Sequence, residues 1–480
     1  MGQSSLFSHG SIFTVARKAP SGEKEPPGEI VLPGRKDQPP NSESFDLAVV
    51  EFKDNGCLVG DVQKDAMLEC ITAARRSNPN GALVVVFVHG WHCSAQWEWD
   101  KPNGRGDRHF AGFRKVLMTL ALREAERYVD SVNRGRRVVG VYLAWHGDPP
   151  SWPRILGRTP LSFGDRYRTA KRIADGEAIQ ATIREIIART KGSLKEKQPA
   201  SPLDQPAAPL VESQPASPLI LAGHSMGALM LETVLLALLT QGAAQKAVQP
   251  DSYVQVTTEG RLVSFPDLVI GLNSAGDSRI TKAIISELEL REMSKLVRAE
   301  QISYSPPLFV SVTATADYYT KVIWRLVPSN WGRWTVGHDR TLFTHTFDTM
   351  QAKVLCPQRN KLLDFGQNWA CLRHPHPTGA PSPRFWIDLP EWDRSDRPEP
   401  EHTRYRITPR GGNEEKHLVW VFQVPSRISS GHSDIFNFRC SLLLLALIQI
   451  SGAVMSLAEE WKYNFEPLPY PEPDFPPGPV

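Results

Sequence analysis

The chain has 480 residues, with 55 Lys and Arg against 52 Asp and Glu, a formal net charge of +3. A composition of 41% apolar and 22% charged residues is that of a globular chain with material for a large core. So small a net charge gives no electrostatic case for nucleic acid or for an anionic membrane surface as partner. The six cysteines are scattered and form no C-x-x-C pair, which argues against a disulfide scaffold or a zinc ribbon. The nearest approach to a metal cluster is Cys356, Cys371, His374 and His376, whose spacing fits no common structural zinc site. No metal is expected.

The first residues, MGQSSLFSHG, lack the apolar core of a signal peptide, so a cytoplasmic protein is expected. Gly2 suggests myristoylation, but Leu6 stands where that motif needs Ser or Thr. Residues 1–44 are polar and rich in Pro and Gly and are expected to be disordered. Order is expected from residue 45, beginning with the short apolar run 46–53, DLAVVEFK. Residues 83–88, LVVVFV, form a continuous β-branched run, the mark of a strand buried on both faces of a parallel sheet. A helical pattern over 110–132, a buried strand at 138–144 and a second helical stretch over 166–190 follow. Strand and helix in alternation mean an α/β fold.

Residues 192–218 break the rhythm. QPASPL occurs at 198–203 and 214–219, with the variant QPAAPL at 205–210, and this tandem repeat reads as a flexible surface insertion. The alternation resumes with strand 219–222, helix 226–239 and strands 267–272 and 308–314. Residues 321–415 carry many Trp, His and Pro and no βα rhythm, and are expected to be a cap or lid insertion. Strand 417–424 and an apolar helix over about 435–458 close the folded region, which is taken to end at 463. The tail 464–480, with seven prolines, is expected to be unstructured. The apolar stretch 440–457 raises the question of a membrane span, but Gln449, Ser451, Gly452 and Ser456 interrupt it and no basic cluster flanks it. A helix buried against the sheet is expected instead.

Gly223-His224-Ser225-Met226-Gly227 matches G-x-S-x-G. Chance supplies about 0.15 such matches in a chain of this length, so the motif needs its context. It directly follows the strand LILA and opens an apolar helix. A strand-to-helix turn this tight strains the serine backbone and lifts its hydroxyl above the sheet, while Gly223 and Gly227 let strand and helix approach. Upstream, strand 83–88 runs into His89-Gly90-Trp91. An acyl-transfer site needs two backbone N–H groups aimed at the developing oxyanion. Met226, the residue after the nucleophile, and Trp91 are the first choices, with Gly90 second after Trp91. His89 is assigned a positional role.

With a late Gly431-His432-Ser433-Asp434, these motifs resemble the α/β-hydrolase superfamily, in its serine esterase and lipase branch. The resemblance covers about 45–320 and 417–458. It implies an α/β-hydrolase fold, with an eight-stranded, mostly parallel sheet between helices and a Ser, acid, His triad in that chain order. His432 fits the histidine, since it lies on a small-residue loop between the last strand and the last helix; His338 and His345 are its rivals. Asp434 is read as a cap of that helix. For the acid, Asp317 at the end of strand 308–314 is the first choice and Asp277, after strand 267–272, the alternative.

These roles imply a carboxylesterase or lipase-like acyl hydrolase acting through an acyl-enzyme, with no cofactor, on a small-molecule or lipid ester. Trp91, Trp97, Trp99, Trp324, Trp331 and Trp334 would suit an apolar acyl or alcohol group, or would pack a cap onto the sheet. Two other readings fit the same residues: an amidase or thioesterase using the same triad, and a catalytically silent fold that binds or scaffolds through its Pro-rich segments. The final helix alone suggests membrane association.

Overall fold

The computed structural model describes residues 12–15, 45–95, 107–126, 135–147, 160–192, 217–246, 265–290, 307–355, 385–391, 401–410 and 418–451. The strands of its main sheet are β1 (Ile12–Val15), β2 (Phe45–Phe52), β3 (Ala82–Val88), β4 (Arg137–Trp145), β5 (Leu219–His224), β6 (Leu268–Leu272) and β7 (Phe309–Ala314). A small second sheet holds β8 (His345–Leu355), β9 (Phe385–Glu391) and β10 (Glu401–Pro409), and β11 (Val419–Val424) returns to the main sheet. The helices are α1 (Asp61–Arg76), α2 (Arg108–Glu126), α3 (Pro160–Asp175), α4 (Glu177–Lys191), α5 (Met226–Lys246), α6 (Ser278–Leu290), α7 (Tyr318–Lys321) and α8 (Phe438–Ile450).

The main sheet runs β1-β2-β4-β3-β5-β6-β7-β11. Seven of its strands are parallel, and β1 pairs antiparallel at the edge, Ile12 opposite Ala48. Every residue of β3, β5, β6 and β7 is buried, as continuous apolar runs in a sheet covered on both faces require. The fold is therefore α/β, as the alternation predicts.

Chain direction decides which face each helix covers. Crossovers that advance along the sheet place α1, α3, α4, α5 and α6 on one face, through residues such as Ile71, Phe163, Ile183, Leu235 and Ile284. The step from β3 back to β4 goes the other way, and its helix α2 lands on the opposite face with Phe113 and Leu117. That reversal falls between β3 and β5. It leaves a crevice outside the carboxyl ends of these two strands, where ligands of open α/β sheets bind.

Helix α8 shares the face of α2. Leu442, Leu443, Leu444, Leu445, Ala446 and Leu447 are consecutive and all buried, which needs cover on both sides. The main sheet supplies part of this cover, and β9 of the small antiparallel sheet also lies against the helix. No helix among the described residues is long and apolar enough to cross a membrane.

Several elements differ from the sequence expectation. Residues 1–44, read as disordered, contribute β1, whose four residues are too few to give a periodicity signal. The single helical stretch 166–190 is two helices, interrupted at Gly176, which takes an extended conformation as the cap of α4. The region 321–415 contains the sheet β8-β10-β9, where alternating polar residues hide the strands from an apolar-run criterion. Thr344 fixes this sheet to β11, its N–H donating to Val421 O and its hydroxyl to Val419 O. Most of the insertion 192–218, the tail 464–480 and Cys356, Cys371, His374 and His376 lie outside the described residues.

Candidate active site

Ser225 sits between β5 and α5 with φ 54°, in the left-handed region that a β-substituted residue adopts at a cost. The turn is locked from both sides. Its N–H donates to Leu272 O at 2.9 Å, and its carbonyl accepts from Leu229 N–H at 3.1 Å and Ala275 N–H at 3.1 Å. A Cβ on Gly227 would lie 2.2 Å from Val88 O, and one on Gly223 2.7 Å from Ala228 N, so neither position has room for a side chain. The two glycines thus let α5 press onto the ends of β3 and β5.

The loop after β11 brings His432 to this serine. Ser225 Oγ lies 2.8 Å from His432 Nε2, and His432 Nδ1 lies 2.9 Å from Asp317 Oδ1. With Nδ1 protonated toward Asp317, Nε2 is free to accept the serine proton. All three side chains are buried. Burial alone would raise the Asp317 pKa; the charge and hydrogen bond of His432 and two hydrogen bonds from Thr320 outweigh it and hold the carboxyl below its ordinary value. Asp317 also caps α7 through the Thr320 N–H.

The other candidates go elsewhere. Asp277 receives Arg279 at 2.8 Å and Arg333 at 3.4 Å and begins α6; the carboxylate on His432 is that of Asp317. His345 bonds Thr344 and packs over Trp420. His338 lies behind Asp317, its Nε2 donating to Thr320 Oγ1 at 3.1 Å, whose proton goes to Asp317 Oδ2. Asp434 does not cap α8. It accepts from Ser430 N–H and Oγ and from Asn437, so it ties the histidine loop together, while Asn437 caps the helix through Cys440 N–H at 2.8 Å.

The β3 loop stands over the serine. A Cβ on Gly90 would lie 2.9 Å from Ser225 Cβ, so this loop and Ser225 are in direct contact. Met226 is the first residue of α5, and its N–H is among those a helix leaves without an internal partner. His89 holds the loop: Trp145 N–H donates to its Nε2 at 3.1 Å, and its Nδ1 donates to Gly90 O at 2.9 Å. Trp91 packs edge-on against Phe163, and Tyr319 lies between Trp91 and the His432 ring, 5.9 and 5.3 Å away between centroids.

Two residues that the sequence reading passed over fix the histidine backbone. The His432 carbonyl accepts from His224 Nε2 at 2.7 Å and from Asn273 Nδ2 at 2.8 Å. Burial, followed by the nearby histidines, lowers the His224 pKa well below its usual value, so this imidazole is neutral. Cys93, Asp107 and His109 bring ligand-type atoms within 4.8 Å of one another. Asp107 is already engaged there, accepting from Ser94, His109 and Phe110 N–H at the start of α2, and Cys93 Sγ lies 3.1 Å from His109 Nδ1. Comparison with protein-family models, curated proteins and solved structures finds no match for the chain.

Proposed function

We propose that this chain is a serine hydrolase of the α/β-hydrolase superfamily that cleaves carboxylic esters. The observation that carries this reading is the bonding of His432, through one ring nitrogen to Ser225 and through the other to Asp317. The reading also accords with the strained serine turn, the eight-stranded sheet and the chain order Ser, Asp, His.

In the mechanism, His432 Nε2 takes the Ser225 proton as Oγ attacks the ester carbonyl. Asp317 holds the tautomer that leaves Nε2 basic and stabilises the imidazolium that forms. The Met226 and Trp91 N–H groups receive the oxyanion, each donor worth about 3 kcal/mol in the barrier. The protonated His432 then returns its proton to the departing alcohol. Water, deprotonated by the same nitrogen, hydrolyses the acyl-enzyme.

A fluorophosphonate probe tests the reading. Labelling of the wild-type chain that is lost in Ser225→Ala is expected, and p-nitrophenyl esters of rising acyl length then define the substrate. Absence of labelling in folded wild type and in folded Tyr319→Ala alike would instead favour a binding or scaffold protein, whereas labelling in Tyr319→Ala alone would mean a closed site. Faster turnover of amides or thioesters than of matched oxygen esters would reassign the substrate class.

A further inference from the structure

A cleft of about 840 Å³ opens on the helical face between α3, α5 and the turns that follow α7. It is separate from the candidate active site, since none of Ser225, Trp91 and His432 lines it. Leu229 in its wall is one helical turn from Ser225, so the two places share a rigid element. Leu229, Leu236, Ile280, Leu326 and Val327 give it apolar walls. Its volume lies within the usual range for small-molecule sites.

Its charge is one-sided. Arg168, Lys171, Arg279 and Arg333 line the cleft against one carboxylate, Asp277. Asp277 is already held by Arg279 and Arg333. Arg168 and Lys171 have no ion-pair partner among the described residues, and with Arg172 and one carboxylate, Asp175, they also border a second depression. The positions 168, 171 and 172 share one face of α3. On the adjoining stretch of α5, burial pushes the Glu232 carboxyl up to about 8, so at neutral pH it opposes no anion.

Apolar walls under a rim of unneutralised cations fit one ligand chemistry. We propose that this cleft binds a long-chain fatty carboxylate, its chain along Leu229, Leu236 and Leu326 and its head group at Arg168 and Lys171. Charged hydrogen bonds at the rim orient the ligand, while burial of the chain supplies most of the affinity. The proposal does not depend on ester hydrolysis, because the cleft contains no residue of the triad.

Titration of the full chain with sodium laurate, followed by calorimetry, tests it. One site is expected, and Arg168→Gln with Lys171→Gln is expected to weaken it about tenfold. Both side chains are exposed on α3, so the fold is retained. Leu326→Asp, at an exposed wall position, is expected to weaken binding as well, and dodecanol, which lacks the charge, to bind more weakly than laurate. Unchanged laurate affinity in the Arg168 and Lys171 double variant would overturn the proposal. So would laurate binding no weaker in folded Leu326→Asp, which would place the chain outside this cleft.

Discussion

Asn273 carries the backbone of His432. Its Nδ2 donates to the His432 carbonyl at 2.8 Å and to Gly431 O at 3.2 Å, while its Oδ1 accepts from Ala314 N–H at 2.7 Å. One side chain at the end of β6 therefore joins the histidine loop to the strand that delivers Asp317. Asn273 holds φ 46°, a conformation that Asn tolerates better than most residues because its short polar side chain bonds locally.

Two substitutions separate its roles. Asn273→Gly keeps the backbone conformation and loses the bonds, whereas Asn273→Ala loses both. Both are expected to lower kcat toward a p-nitrophenyl ester by about tenfold or more, as positioning is lost. Thermal denaturation should show the Ala variant less stable than the Gly variant by about 1 kcal/mol. Equal stability of the two would mean that the φ value costs nothing.

Asp317 is held ionised, and the sign of its effect on stability follows. Its folded pKa is below the ordinary 3.8, so the unfolded chain binds more protons as pH falls toward and below that value. Its contribution is complete above the unfolded pKa and is lost as pH drops through the folded one. Asp317→Asn is expected to remove this acid-limb loss from denaturation curves and to lower kcat about 10⁴-fold, because Asn favours the wrong imidazole tautomer. A variant with wild-type kcat would remove Asp317 from the triad.

Thr320 and His338 extend the site beyond the acid. The Thr320 hydroxyl donates to Asp317 Oδ2 and accepts from His338 Nε2. Burial is the first cause of a lowered His338 pKa, outweighing the opposing charge of Asp317, while Lys321 and His432 lower it further. Thr320→Val and His338→Ala act on one chain of bonds, so their effects on kcat should be less than additive in the double variant. Full additivity would show that the two residues act separately.

Much of this site is written locally in the sequence. Gly223 and Gly227 flank Ser225 between an apolar strand and an apolar helix, and that context alone specifies a strained turn. Small residues before His432 likewise mark a loop between strand and helix. Asn273 gives no such signal, because its bonds reach residues 41 and 159 positions away. Thr320 and His338 meet through turns with no periodic pattern. Asn437 and not Asp434 caps the last helix because Asn437, three residues before the Cys440 N–H, has the spacing that capping requires.

Glu232 is a fully buried acid on α5, beside Ser274 and beneath the Gly276 backbone. Desolvation raises its pKa from 4.5 to about 8, and neither carboxyl oxygen has a hydrogen-bond partner among the described residues that would favour the charged form. Between these values the folded chain keeps a proton that the unfolded chain has lost, so stability falls as pH rises. Glu232→Gln removes this dependence with nearly unchanged shape. It is expected to stabilise the protein at pH 7 by on the order of 3 kcal/mol and to do less at pH 5. A pH-independent difference between variant and wild type in urea denaturation would show that the carboxyl is not neutral in the fold.

Tyr319 covers the approach to Ser225 that the proposed ester hydrolysis would use. Its ring is 40% exposed and lies between Trp91 and His432, whereas Ser225 has no exposed surface. An acyl group cannot reach Oγ without displacing cover, and the aromatic contacts that hold Tyr319 in place are worth about 1 kcal/mol each. Tyr319→Ala is expected to raise kcat/KM for long-chain esters more than for acetate esters, because short chains need less displacement. The fluorophosphonate labelling rate should rise with it, since labelling needs the same access. If labelling accelerates while long-chain esters turn over more slowly, Tyr319 is a wall of the acyl site and not its cover.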